Sequence, residues 1–461
     1  MRTLNNLLLS VLLLALLACD SIVDDVQDPI DSVDDPELTD ASQIDFLTTG
    51  VQARFHNVHD NVSVFSSILS DQFIFGGDIG GGATFPTYQQ LDVGAPAEDN
   101  NSIDGALNHL GQHRYLADNL LERVAEVDEL DPENGGFATD ADMASREEAL
   151  FVGNFHGGLA RYMWGAYFGR DVQDGGGVIS ELEEPSDPTR GEFIPSDEMY
   201  DLALGKFEEA EQYATDYEIR LMNTIRARIY LIQDDLAAAE DYASDGLEPG
   251  DDAFQSQYVD RSGNQQNAWF SDGGPGRTQT VSAPRFFYDY LANDPAEIVR
   301  IPVFEAGTEN VGSLIAREAG LIPDEEIDED GNYEVYAQAL YMDRDAPLDF
   351  ATWQENELIL AEIEYRDGNE GSALDRVNTV RGSHEDDGVT LDDLDEIDLD
   401  TIFVERDKEL FTMGIRLIDQ RRADEHQLDV DADQHYWHLD PDDTWRFLRI
   451  TLQETQDNPN L

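Results

Sequence analysis

The chain has 461 residues, of which 99 are aspartate or glutamate and 28 are lysine or arginine, so its formal net charge is −71. A chain with this balance offers no basic patch to neutralise phosphates, and this excludes a nucleic-acid-binding protein. It is nevertheless 41% hydrophobic and 9% aromatic, a composition that supports a packed core and that disordered chains lack.

The basic residues are unusual in type, since Lys206 and Lys408 are the only lysines and the others are arginines. An acid-rich, lysine-poor surface suits a protein that works in multimolar salt, where the Debye length is about 3 Å or less and like charges barely repel. We therefore expect a protein that faces a strongly saline medium. An acidic protein from an ordinary medium is the alternative.

The N-terminus has the pattern of an export signal. Arg2 precedes an apolar run over residues 7–18, which is too short to span a bilayer as a helix and is typical of a secretory signal peptide. The run ends in Leu-Leu-Ala before Cys19, which is similar to a bacterial lipoprotein box, where cleavage precedes the cysteine and its thiol receives lipid. We predict a signal peptide at 1–18 and lipid attachment at Cys19. A plain signal peptide with an incidental cysteine is the alternative.

The next segment differs in composition from the rest of the chain. Residues 19–42 are rich in aspartate and include Pro29 and Pro36, which indicates a flexible acidic tether. Because Cys19 is the only cysteine, the sequence excludes a disulfide framework and a thiolate metal site. No later segment is apolar enough to span a membrane, and we predict one domain over residues 43–461.

Helical periodicity follows the tether. Two segments place apolar residues at helical spacing: Leu107, Leu110, Ala117, Leu121 and Val124, then Leu150, Phe151, Phe155, Leu159, Tyr162, Met163 and Ala166. A capping-box pattern at 145–148 predicts the start of the second helix. Pro195-Ser196 predicts the start of another helix. Trp164 and Trp353 lie in helical periodicity, and we expect both in the core.

Two segments resemble the helix pair of tetratricopeptide (TPR) repeats. The matching positions are Ala227, Ala239 and Gly246 in the first pair, and Ala361, Ala373 and Val380 in the second. Small residues at these offsets let two antiparallel helices approach closely. The predicted turns are 234–235 and 368–369. The two pairs predict a repeat scaffold that is interrupted by a loop-rich insertion at about 247–350.

Two stretches combine glycine with aromatic residues, and we call them the glycine–aromatic stretches. One covers residues 73–88, and the other covers residues 258–288 inside the insertion. Loops on a rigid scaffold are common places for recognition. We therefore expect any ligand to be bound at these two stretches.

The C-terminal part of the chain carries motifs of a known family. Residues 357–381 end in Asn378-Thr379-Val380-Arg381, residues 403–411 contain Glu-Arg-x-x-Glu-Leu-Phe, and the chain ends in Asn-Pro-Asn-Leu. Together with the lipoprotein box and the TPR pairs, this order resembles the SusD/RagB family of outer-membrane nutrient-uptake lipoproteins. The family usually continues with Glu-Gly-His-Arg and an aromatic residue, whereas residues 412–417 keep only the glycine and the arginine.

The resemblance implies a fold and a function. The fold would be all-α, with a TPR-like helix-pair scaffold, long irregular loop insertions and minor β-structure. The protein would bind an oligosaccharide without catalysis or cofactor, and pass it to a SusC-like TonB-dependent transporter. It would be anchored in the outer membrane by lipid on Cys19 and face the cell exterior. Acidic residues 20, 24 and 25 are similar to the family's signal for export to the outer face.

A glycan ligand narrows the choice of site residues, because sugars present CH faces to aromatic rings and hydroxyls to planar polar groups. The candidates are Trp269, Phe270, Tyr258, Arg277, Phe85 and Tyr88. Trp269 leads because residues 264–267 beside it are all asparagine or glutamine. For each of them, packing of a loop against the helices is the alternative.

Several alternatives stay open. The ligand could be a peptide, or the protein could be a lipid-anchored TPR scaffold that binds only protein. A glycoside hydrolase would need two carboxylates about 5–10 Å apart, a pair that cannot be identified among so many acidic residues. We predict no metal site, since the His-x-x-His at 435–438 and the calcium-loop fragment at 328–333 are both incomplete. We expect Glu405 and Glu409 to form ion pairs with Arg406, Arg421 and Arg422.

Overall fold

The structure of the protein is a computed structural model that describes residues 40–75, 86–180, 191–261, 266–275, 281–313, 320, 322–386, 388–431, 435, 444–458 and 460. The fold is 58% helix and 11% strand, which confirms the predicted all-α class with minor β-structure. In the described part of the chain, no helix is both long enough and apolar enough to cross a membrane.

The helices and strands follow in chain order. The α-helices are α1 (Ile44–Leu69), α2 (Pro86–Asp92), α3 (Asn101–Asp128), α4 (Asp140–Tyr167), α5 (Ser196–Ala210), α6 (Asp216–Ile232), α7 (Leu236–Ala243), α8 (Ala268–Gly273), α9 (Trp353–Arg366), α10 (Glu370–Arg381), α11 (Leu399–Glu409), α12 (Arg416–Glu425) and α13 (Leu452–Asp457). The strands are β1 (Ile74–Phe75), β2 (Phe168–Gly169), β3 (Gly176–Val178), β4 (Phe193–Pro195), β5 (Phe254–Ser256), β6 (Val281–Ser282), β7 (Val303–Asn310), β8 (Asn332–Gln338), β9 (Leu348–Ala351), β10 (Glu385–Asp386), β11 (Val389–Thr390) and β12 (Leu448–Arg449). They pair two by two, as β1–β6, β2–β12, β3–β4, β5–β9, β7–β8 and β10–β11.

Helix α4 is the centre of the first helical layer and packs against α1, α3 and α5. Glycines allow this close approach. A Cβ atom at Gly153 would lie 2.6 Å from Leu121 of α3, and one at Gly158 would lie 2.6 Å from Phe207 of α5. Trp164 is buried here, and Trp353 packs against two core clusters, which confirms the expectation that both belong to the core.

The predicted start of α4 is wrong. The helix begins at Asp140, five residues before the predicted capping box at 145–148. Thr139 caps it, with its Oγ1 accepting from Asp142 N at 3.1 Å while Asp142 accepts from Thr139 N at 2.8 Å. This Thr-x-x-Asp box satisfies the exposed N–H groups of the first turn as a Ser-x-x-Glu box would. The predicted start of α5 at Ser196 is confirmed.

The two TPR-like pairs are α6–α7 and α9–α10. Both turns form as predicted, with Asp234 and Gly368 at positive φ. Gly246 has no room for a side chain, since a Cβ atom would lie 2.4 Å from Asn356 Oδ1. The pairs pack directly on each other through one apolar cluster that contains Ala227, Leu231, Ala239, Ala243, Ile359, Leu360 and Ile363. The repeats are therefore adjacent in space although the chain separates them.

The insertion between the two TPR-like pairs begins and ends at neighbouring positions, because β5 near its start pairs with β9 at its end. Its longest ladder is the antiparallel pair β7–β8. A small apolar cluster of Tyr288, Ile322, Tyr333 and Val335 supports this ladder. The insertion therefore has a core of its own.

Buried ion pairs hold the C-terminal helices. Glu405 pairs with Arg300 at 2.7 Å and Arg381 at 3.0 Å, so its predicted structural role is confirmed. The predicted partners are wrong. Arg406 pairs with Asp419, and Arg422 pairs with Glu362 and Asp419. Arg421 donates to the carbonyls of Ala166 and Arg446, and Glu409 pairs with His384 and Arg300. Neighbouring residues of a helix point to different faces, which separates Glu405 from Arg406.

Candidate functional site

The two glycine–aromatic stretches meet in the structure. Strand β1 of the first pairs with β6 of the second, with Ile74 opposite Ser282. On the far side of the first stretch, the Tyr88 hydroxyl donates to Asp272 Oδ2 at 2.9 Å. The sequence therefore identified two segments that lie far apart along the chain and that the fold brings together, since Tyr88 and Asp272 are 184 positions apart.

A pocket lies at this junction, and we call it the junction pocket. Its volume is about 250 Å³, which lies just under the usual range of small-molecule pockets, about 300–1,000 Å³. It is lined by Asp60, Asn61, Phe65, Tyr88, Ser102, Gly105, Ala106, His109, Gln266, Ala268, Ser271 and Asp272. Helices α1, α3 and α8 thus supply its walls, and the lining is rich in hydrogen-bonding groups.

Asp60 ties the second stretch to α1. Its side chain is 2% exposed, and its Oδ2 accepts from Ala268 N at the start of α8 at 3.0 Å. Its Oδ1 accepts from Asn61 N at 2.7 Å. Burial raises the pKa of Asp60 to about 8, and the nearby Asp272 carboxylate adds to this effect. At neutral pH Asp60 therefore carries a proton in most molecules, and it lines the pocket as a neutral carboxyl group.

His109 of α3 also lines the pocket. Its Nδ1 atom is buried and has no hydrogen-bond partner within the described ranges. Burial lowers the pKa of His109, and the Arg54 charge acts in the same direction, so the ring is neutral at pH 7. A neutral imidazole has one donor and one acceptor nitrogen, which suits the hydroxyl group of a ligand.

One wall of the pocket is aromatic and another is bare helix backbone. The rings of Phe65 and Tyr88 pack edge to face, with centroids 5.5 Å apart. At Gly105 of α3, a Cβ atom would meet nothing within 4 Å. The glycine therefore leaves open space at the pocket wall that a larger side chain would fill.

The structure corrects the leading sequence candidate. Trp269 is fully buried, with its Nε1 donating to Ser63 Oγ at 2.9 Å and its ring 4.5 Å from that of Phe73. An enclosed ring cannot stack on a sugar, so the expectation of an exposed platform at Trp269 is wrong. The apolar side chain packs the short helix α8 onto α1, so the alternative that Trp269 packs its loop against the helices applies.

The other candidates are placed differently. Tyr258 is 7% exposed and donates to the His56 carbonyl at 3.1 Å. Phe270 is half-buried, with the Arg344 guanidinium 5.6 Å from its ring centroid. Tyr88 lines the junction pocket. Phe85, Arg277 and Cys19 lie outside the described residues.

Sequence reasoning missed the residues that helices contribute to the pocket, above all Asp60, His109 and Asp272. One signal was available for Asp60, which is a carboxylate between the apolar residues Val58 and Val62, in a part of α1 that is buried on most sides. A carboxylate among buried apolar positions is unusual and needs partners. Gln266, one of the amides noted beside Trp269, does line the pocket. In the described part of the chain, no group of three or more metal-ligating side chains is placed to hold a metal ion.

No protein-family model matches the chain, and no curated protein matches it. Solved structures do match. A SusD-superfamily protein from Bacteroides vulgatus aligns with a TM-score of 0.64 at 15% identity, over 91% of this chain and 97% of its own. Surface glycan-binding protein A from Bacteroides uniformis aligns with a TM-score of 0.55 at 16% identity, over 90% and 98%. A protein solved with a xylogluco-oligosaccharide aligns with a TM-score of 0.54 at 13% identity, over 83% and 84%. The chain therefore has the fold of the SusD superfamily.

Proposed function

We propose that the protein is a cell-surface lipoprotein that binds an oligosaccharide at the junction pocket and delivers it to a TonB-dependent outer-membrane transporter. The observation that carries the binding proposal is the convergence of the two glycine–aromatic stretches on one polar pocket. The likeness of the fold to that of a surface glycan-binding protein supports it. The lipoprotein box at Cys19 and the C-terminal motifs support the anchoring and the delivery.

The lining of the junction pocket favours a neutral sugar. Amides and hydroxyls such as those of Asn61, Gln266 and Ser271 both donate and accept hydrogen bonds, as sugar hydroxyls do. The described lining contains no lysine or arginine, and it contains Asp60 and Asp272. An acidic sugar would therefore find no cation to pair with its carboxylate.

Phe270 is the best placed of the remaining aromatic candidates. Its ring is partly exposed and lies in the same helix as the pocket residue Asp272. We propose it as a stacking surface beside the pocket mouth, and we keep Phe85 and Arg277 as further contacts of the ligand. Tyr258 is buried and bonded to the His56 carbonyl, so the packing alternative applies to it as it does to Trp269.

Isothermal titration calorimetry in high salt tests the binding proposal. The mature protein is titrated with cello-, malto- and xylogluco-oligosaccharides and with peptides. Gly105→Trp should weaken glycan binding by about tenfold or more, because the indole fills the pocket. Gly50→Trp is the matched control, since Gly50 is an exposed helical glycine of α1 with nothing within 4 Å of its Cβ position, and its binding should be unchanged.

Three results would contradict the proposal. If none of the oligosaccharides binds, the binding proposal is wrong. Binding of peptides alone would favour the peptide-binding alternative. Release of reducing sugar from a polysaccharide by the pure protein would favour a hydrolase. Delivery is tested separately: a tagged protein should co-purify a TonB-dependent transporter from native membranes, and Cys19→Ser should move the protein out of the membrane fraction.

A further inference from the structure

Helix α3 lines a second pocket on another of its faces, and we call it the α3 pocket. Its volume is about 360 Å³, within the range of small-molecule sites. Asn108, Gly111, Gln112 and Tyr115 of α3 line it, together with Trp164 of α4. Gly111 lies six positions after Gly105, which places it about 9 Å along the helix axis and on a different face. The two pockets are therefore separate.

The α3 pocket combines aromatic rings with amides. Tyr115 is 39% exposed, whereas Trp164 is 4% exposed and forms part of the wall. Asn108, Gln112 and Tyr115 are spaced at i, i+4 and i+7, so they share one face of the helix. An exposed ring with two amides one and two turns away matches the CH faces and hydroxyls of a sugar.

Arg114 supplies a second and independent indication of a ligand. Its residue is 6% exposed and lines the pocket. Its Nη2 donates to the Ser180 carbonyl at 2.7 Å, and its Nη1 donates to Asp118 at 3.3 Å. Its Nε is buried and has no hydrogen-bond partner among the described residues. An unpaired buried donor is unfavourable, and a ligand oxygen would satisfy it.

Gly111 leaves the space that a ligand needs. A Cβ atom there would meet nothing within 4 Å, so close packing does not require glycine at this position. A glycine inside a helix is less favourable than alanine. The open space at the pocket wall is what this glycine supplies.

We propose that the α3 pocket is a second saccharide-binding site, which takes one or two neutral sugar rings with Tyr115 as the stacking ring. Asp104 and Glu454 in its lining outnumber Arg114, whose charge is already paired with Asp118, and this disfavours an acidic sugar. The site goes beyond the proposed function, which needs only the junction pocket. Two sites would let one protein hold a glycan chain at two points and raise the avidity for long chains.

Calorimetry with the same oligosaccharides, in high salt, tests this inference. The wild type should bind at two sites. Gly111→Trp and Tyr115→Ala should each remove binding at the α3 pocket and leave binding at the junction pocket. Gly105→Trp should remove binding at the junction pocket and leave binding at the α3 pocket. Circular dichroism melting measures whether each variant is folded. We expect both glycine variants to fold, because neither position has a neighbour within 4 Å of its Cβ.

The outcomes separate this inference from the proposed function. If Gly105→Trp abolishes all glycan binding while Gly111→Trp changes neither stoichiometry nor affinity, the second site is wrong and the proposed function stands. If Gly111→Trp removes peptide binding but no glycan binding, the α3 pocket is a peptide site and the inference is overturned. If no glycan binds to the wild type, both proposals fail.

Discussion

The buried ion pair between the two TPR-like pairs gives a sharp test of the fold. Arg228 of α6 and Glu355 of α9 are 2% and 0% exposed at their side chains. Arg228 Nε and Nη2 donate to the carboxylate at 2.6 and 2.5 Å, and Nη2 also donates to the Phe350 carbonyl at 2.7 Å. Burial lowers the pKa of Arg228, but the Glu355 carboxylate raises it overall.

Removing one partner leaves an isolated charge in the core. We expect Glu355→Gln and Arg228→Met each to lower the free energy of unfolding by about 3–5 kcal/mol. Replacing both, as Arg228→Met with Glu355→Leu, should recover most of that loss, because an apolar pair of similar volume needs no desolvation of charge. The loss in the double variant is therefore expected to be far smaller than the sum of the losses in Arg228→Met alone and Glu355→Leu alone.

A surface pair with the same geometry is the matched control. Arg146 Nε and Nη2 donate to both oxygens of Asp128 at 2.7 Å, but these side chains are 25% and 37% exposed. Asp128→Asn should cost less than about 1 kcal/mol because water screens the exposed charges. The two bidentate pairs differ mainly in burial.

Urea denaturation at constant high salt, followed by circular dichroism, measures these free energies. Urea is uncharged and leaves the ionic strength fixed. If Glu355→Gln costs no more than Asp128→Asn, burial does not set the cost, and the reasoning from the buried charge is refuted.

Two further predictions concern the first helical layer. His113, whose Nε2 lies 3.0 Å from Nδ1 of His156, is fully buried, and burial lowers its pKa to about 3. Below pH 6.5 the unfolded chain binds more protons at this group, so stability should fall as the pH drops from 6.5 towards 3, by about 2 kcal/mol per such histidine at pH 5. The raised pKa of Asp60 acts oppositely, because the stability from its neutral form is lost as the pH rises from 3.8 through about 8. Acid unfolding of the wild type and of His113→Gln checks the histidine prediction, since the stability of His113→Gln should fall less steeply as the pH drops. Gly158→Val should lower the unfolding free energy by about 1–3 kcal/mol, because its side chain would overlap the Phe207 ring; an unchanged melting temperature would contradict the close packing of α4 on α5.

Local patterns in the sequence predicted much of the scaffold. The spacing of Ala227, Ala239 and Gly246 predicted a helix pair, because small residues are needed wherever two helix backbones approach. Pro195-Ser196 marked a helix start for an equally local reason. These features depend on neighbours within about two turns, which the sequence places in order.

The candidate site depended on contacts that the chain order does not reveal. The sequence determined that glycine–aromatic stretches exist and that the protein has the motifs of an exported lipoprotein. Only the tertiary structure decided that Trp269 turns inward to bond Ser63, while Asp60 and His109 face the pocket. An aromatic ring is stable either in a core or on a binding surface, and only the packing of α8 on α1 determines which of the two it occupies.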